Sequence, residues 1–187
     1  MTLRLPPKPD FEALDLAALQ TADRRTMLLA LIGNLSFTWS NNESLFIYVL
    51  MLLLDTDEVA AAIVFSTLNT TRARLDLTQR LASIRIRKVE VREQLNALIE
   101  RFNVATRLRN EFNHATFMLD EFGEITHTHS LRIVEQKGRL KFGSTRKVDV
   151  ARIEEIVTTI NDLRKLNRDL WDFLPLLQRN VPRREPV

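Results

Sequence analysis

The chain has only four glycines in 187 residues, and three of them, Gly123, Gly138 and Gly143, fall within one short segment. Sheet-rich folds need turn residues at regular intervals, and glycine is the one that adopts left-handed turn geometry without steric cost. So sparse and so clustered a distribution predicts a helical chain with a single strand-bearing insert. A composition of 45% hydrophobic and 27% charged residues fits that expectation, and 187 residues are enough to bury a sizeable core in one domain.

The pattern along the chain supplies boundaries. "PPKPD" (6–10) reads as part of an extended arm over 1–9, with Asp10 capping a short helix to about Gln20. A long apolar segment runs from Asp23 to about Leu54, with an expected break or kink near Gly33 and Asn34. "DTDEVAAAIVFSTL" opens with a cap and an acidic first turn, "NTTRARLDLTQRLASIR" follows at helical spacing, and a further helix spans about Val89 to Met118. Within 123–149, β-branched residues and the turn "QKGR" predict a two-stranded hairpin at about 125–147. Asp149 then caps a last helix ending at Pro175, and 179–187 reads as a basic, disordered tail. The expected fold is all-α: a bundle of about five main helices in a single domain over 10–178, with one inserted hairpin.

Several function classes are excluded. With no cysteine, the chain has no disulfide framework, thiolate metal site or cysteine nucleophile, and a reducing cytoplasm is the expected setting. No Walker loop, GxGxxG, GxSxG or HExxH occurs. The polar "SNNES" (40–44) divides the apolar stretch Met27 to Leu54 into pieces shorter than the roughly 20 residues a membrane span requires, so a core helix is expected and no membrane partner. His127 and His129 in "THTH" share a strand face, but two imidazoles do not complete a site; no metal and no cofactor is expected.

Net charge is only +3, yet 21 of the 27 basic residues are arginine, whose planar fork matches phosphate. "RIRKVEVR" makes Arg85, Arg87 and Lys88 candidate nucleic-acid contacts, although few aromatic residues are available to stack on bases. The densest polar chemistry is "TRLRNEFNHATF" (106–117). On a helical wheel Leu95, Leu98, Ile99, Phe102, Ala105 and Phe112 form an apolar face into which Arg109 and Asn113 fall. Asn103, Arg107, Asn110, Glu111 and His114 lie opposite, with His114 about 140° from Arg109. An arginine on a buried face needs a partner, and Glu43 in the polar break is the candidate for a purely structural ion pair.

"RNEFNH", Arg109 followed after four residues by His114 with Asn110 between, resembles the Arg-x(4–6)-His motif of the HEPN superfamily. That resemblance implies an all-α domain of the kind found in prokaryotic toxins, antiviral systems and RNA-processing proteins, many of them metal-independent endoribonucleases that act as dimers. It implies Arg109, Asn110 and His114 as the catalytic set, with Glu43, Arg107 and Glu111 as possible supporting residues. RNA, a second copy of the chain, and an antitoxin or other protein are the implied partners. The inserted hairpin departs from the simplest arrangement of the family. The competing expectation is a noncatalytic helical module that binds protein, RNA or nucleotide, with Arg109 in a structural ion pair.

Overall fold

The computed structural model describes residues 24–136 and 138–182; the expected N-terminal arm, the Asp10–Gln20 helix and residues 183–187 of the expected tail lie outside them. Five helices and three strands follow in the order α1 (Arg24–Leu54), α2 (Glu58–Thr67), α3 (Thr71–Arg85), α4 (Val89–Asn113), β1 (Ala115–Leu119), β2 (Ile125–Gln136), β3 (Arg139–Lys147) and α5 (Val150–Asn180). The all-α bundle with a β insert is therefore the architecture, and one hydrophobic cluster joins residues of all five helices.

Three helix starts have side-chain caps. Asp57 accepts from the Ala60 amide at 2.8 Å, Thr70 from Ala73 at 3.1 Å and Asp149 from Arg152 at 3.0 Å, each satisfying an amide with no partner inside its helix. Helix α1 is apolar around most of its circumference, and its second half, including Phe46, Val49, Leu50 and Leu53, is enclosed. No helix among the described residues is long and apolar enough to cross a membrane.

The expected break in α1 is absent: the helix runs through Gly33 and through "SNNES". Its polar groups find partners that make the passage possible. Asn42 donates from Nδ2 to the carbonyls of Thr38 (2.8 Å) and Leu163 (3.0 Å), tying α1 to α5, while Ser44 donates to the Ser40 carbonyl. Helix α5 likewise continues past Pro175 to Asn180, so Arg179 belongs to the helix and not to a tail. Leu174 and Leu177 are buried on either side of the exposed proline, and that burial outweighs one missing backbone bond.

The expected hairpin is a three-stranded antiparallel meander, β1-β2-β3. Its first strand begins two residues after α4, which ends at Asn113 and not near Met118. Residues 115–119 gain a ladder with β2, pairing Ala115 with Ser130 and Phe117 with Thr128, and this pairing replaces a further helical turn. The β2–β3 register carries Thr128 opposite Arg146 and Ser130 opposite Ser144, then shifts between Ser130 and Ile133.

Gly143 lies at that shift with φ +73°, and an added Cβ would stand 2.7 Å from both the His129 ring and the Ser130 carbonyl oxygen. Gly143→Ala is expected to lower the melting temperature by about 2–8 °C, from the cost of left-handed geometry alone. Gly33→Ala should act in the opposite direction, since the helix interior prefers alanine and nothing lies within 4 Å of the new methyl. Thermal melts of the two variants check both signs.

Candidate functional site

The last turn of α4 points its polar residues toward two different surroundings. Arg109 lies over the Trp39 ring of α1, 4.0 Å from guanidinium carbon to ring centroid. It donates from Nη1 to Asn110 Oδ1 at 3.0 Å, and Asn113 Oδ1 accepts from its Nε at 3.0 Å and its Nη2 at 3.2 Å while the Asn113 amide donates to Ser36 Oγ. Trp39 is buried, donates from its indole to Thr106 Oγ1 at 2.8 Å and stacks on Phe102 at 5.5 Å. Arg109 is thus held by a ring face and two neutral amide oxygens, a setting that leaves its positive charge uncompensated by any carboxylate among the described residues.

The expected Glu43–Arg109 pair does not form. Glu43 forms an ion pair with Arg74, 2.9 Å from Nη1, and accepts from Thr71 Oγ1 at 2.6 Å. Arg74 also donates from Nε to the carbonyls of Phe65 and Leu68 and sits over the Phe65 ring, so Glu43 anchors the α2–α3 connection to α1. Among the described residues it makes no ion pair with Arg109.

His114 is the C-cap of α4, its backbone N–H bonded to the Asn110 carbonyl at 3.2 Å, and its exposed side chain lines a pocket of about 180 Å³. The angle expected between Arg109 and His114 on one continuous helix does not apply, because the helix ends at Asn113. His114 lines this pocket and Arg109 does not; Asn110 links them, bonding Arg109 and lining the His114 pocket. The other wall is one face of the sheet. Side chains alternate along strands, so the cross-strand pairs place Thr128, Ser130, Ser144 and Arg146 on the same face, toward the end of α4.

Glu111 lines this pocket too. Its Oε2 accepts from Arg146 Nη1 of β3 at 2.8 Å and from Arg152 Nη2 of α5 at 2.5 Å. Arg152 is buried, lies 4.7 Å over the Phe112 ring and bonds Glu155 as well. Burial alone would raise the Glu111 carboxyl, but hydrogen bonds from Arg152 and then Arg146, with their charges, lower its pKa below the ordinary value. Glu111 is a committed carboxylate joining α4, α5 and the sheet.

On its other side, Asn110 and Glu111 also line a larger groove of about 720 Å³ between α3 and α4. Thr70, Thr71, Asn103 and Thr106 supply hydroxyls and amides there, and the exposed Arg72 and Arg107 supply cations. Arg107 is 3.9 Å from Glu100 and Arg72 is 3.9 Å from Asp76, both well exposed, so these are weak pairings that an anion can displace.

The basic run at the end of α3 is divided. Arg85 donates to the carbonyls of Leu53 (3.0 Å) and Pro182 (2.6 Å) and is 3.9 Å from Asp55, which makes it a clamp between α1 and the end of the chain's described part. Of the three basic residues proposed as nucleic-acid contacts, Arg85 is thus engaged within the chain, whereas Arg87 and Lys88 are exposed and line neither cavity. His127 and His129 lie on the opposite sheet face from Thr128, half-buried, bonding Thr126 and Thr145 hydroxyls through Nδ1. Among the described residues no three His, Asp or Glu side chains cluster as a metal could require.

Trp39, Ser130, Ser144, Arg146 and Arg152 belong to the site's surroundings and were not marked by the sequence reading. A signal for part of them existed: T-x-S at 128–130 and S-x-R at 144–146 repeat a polar residue at period two, which is how a wet sheet face is written. No protein-family model matches the chain, and no curated protein or solved structure matches it.

Proposed function

We propose that this is a HEPN-like protein acting on RNA in the cytoplasm, a metal-independent endoribonuclease whose working site forms between two copies of the chain. One observation carries the reading: Arg109 is presented with no carboxylate partner among the described residues, at a helix end where His114 opens on a polar pocket. A guanidinium used only to hold the fold is expected to be paired as Arg74 and Arg152 are. In the proposed chemistry one His114 takes the proton of a ribose 2′-hydroxyl, and the 2′-oxygen attacks phosphorus. The 5′-oxygen leaves with a proton from a second His114, and the product end is a 2′,3′-cyclic phosphate. Arg109 and Asn110 bind the phosphoryl oxygens as charge builds on them. A two-fold dimer supplies the second imidazole; an antitoxin or another regulatory protein is a natural further partner for such an activity.

A second reading, RNA binding without cleavage, is favoured by the single imidazole that each chain contributes to the pocket. Incubating the protein with single-stranded RNA in excess chelator separates the two. Cleavage leaving cyclic phosphate ends, with a rate that depends on protein concentration through the dimer, supports the endoribonuclease. Salt-dependent retention of intact RNA supports binding alone. Absence of both retention and cleavage would remove RNA from the reading.

A further inference from the structure

The pocket beside His114 is built only half from α4; the rest comes from the sheet insert. Arg146 of β3 lines it together with Ser144, Ser130 and His114. A guanidinium has five N–H donors, and Arg146 commits only Nη1, to Glu111, among the described residues, while its side chain is 53% exposed. Glu111 keeps Arg152 as a second partner, so its carboxylate stays compensated if Arg146 turns to another anion. Arg109 lines neither this pocket nor the α3–α4 groove, being covered by Trp39 on one face and by amide oxygens at its edges.

We propose that Arg146 is the phosphate-binding residue that shares a chain with His114, so that the sheet insert is part of the RNA site. This rests on the RNA-acting reading and adds to it the residue and the element that hold the substrate. The group bound is an internal phosphodiester. Its pocket shares Asn110 and Glu111 with the α3–α4 groove, so the strand on one side of the phosphate has a polar path past Arg107. A planar fork with an in-plane pair of free N–H groups suits two phosphoryl oxygens, and the Ser144 hydroxyl lies on the same wall.

The neighbouring residue gives the control. Lys147 carries the same charge, is exposed, and projects from the opposite sheet face. Binding of a short labelled single-stranded RNA is measured over a range of salt concentrations, in chelator, for the wild type, Arg146→Ala, Arg146→Lys and Lys147→Ala. Arg146→Ala is expected to weaken binding about tenfold or more and to reduce the salt slope by about 0.7. Arg146→Lys should restore the slope and part of the affinity, and Lys147→Ala should stay within about twofold of wild type. Equal effects of Arg146→Ala and Lys147→Ala, with RNA still bound by the wild type, would overturn the assignment alone. Absence of wild-type RNA binding would overturn the RNA reading itself. Displacement of the RNA by adenosine monophosphate at matching concentration, dependent on Arg146, would overturn the internal phosphodiester in favour of a terminal phosphate.

Discussion

His114→Ala is expected to reduce RNA cleavage by about 100- to 10,000-fold, the usual contribution of a positioned proton-transfer group. The melting temperature should barely move, because the imidazole is exposed and takes part in no side-chain hydrogen bond among the described residues. Arg109→Ala should impair cleavage as well, through loss of a charged donor to the phosphate. A site shared across a two-fold axis makes a sharper demand. Mixing wild type with His114→Ala produces hybrid dimers that hold a single imidazole, and because the proposed step needs both a proton acceptor and a proton donor, those hybrids should be inactive and the rate should fall below the wild-type fraction, toward its square. Initial rates on single-stranded RNA, taken before and after wild type and variant are allowed to exchange subunits, check this. A rate that stays proportional to the wild-type fraction after exchange would place the whole catalytic set in one chain. An unchanged rate for His114→Ala would remove the imidazole from the chemistry.

The parts of this fold that were legible in the sequence are those decided within a few residues. The cap at the start of "DTDEV", which is Asp57, and Asp149 announce helix starts because a cap needs only its own side chain and an amide two or three positions on. The buried face of α4 was legible for a similar reason, since Leu95, Leu98, Ile99, Phe102, Ala105 and Phe112 repeat at helical spacing and all are enclosed. What was not legible depends on partners far along the chain. Residues 115–119 have no helix-breaking residue; they leave the helix because β2, about ten residues later, offers a ladder. Glu43 was read as the ion-pair partner of Arg109, but the choice among 21 arginines belongs to the crossing of α1 and α3, which brings Arg74 and not Arg109. Arg85 in a basic run read as a candidate nucleic-acid contact, and the two carbonyls that it meets come from distant segments. The site shows the same division: Arg109, Asn110 and His114 are adjacent in sequence, whereas Trp39 and Arg146 reach them only through the fold.

Phe102→Ala is expected to destabilise the protein by about 3–5 kcal/mol and to lower the melting temperature by roughly 10 °C or more. The ring is fully enclosed and packs against two others, Trp39 at 5.5 Å and Phe46 at 5.4 Å, so truncation removes buried area, ring pairing and the floor on which Trp39 rests. That last loss reaches the site, because the indole that stacks on Phe102 also carries Arg109. Phe46→Ala provides the comparison, being equally enclosed and touching Phe102 rather than lying in a ring stack with Trp39 among the described pairs. The two truncations should cost similar stability, yet at a temperature well below both transitions only Phe102→Ala should weaken RNA cleavage and binding markedly. Phe102→Leu, which refills most of the volume, should recover most of the stability and only part of the activity, since a leucine supports the indole without stacking on it. Equal activity losses in Phe102→Ala and Phe46→Ala would show that a loosened core, and not the seat of the guanidinium, accounts for the defect; Arg109 would then be independent of the aromatic stack beneath it.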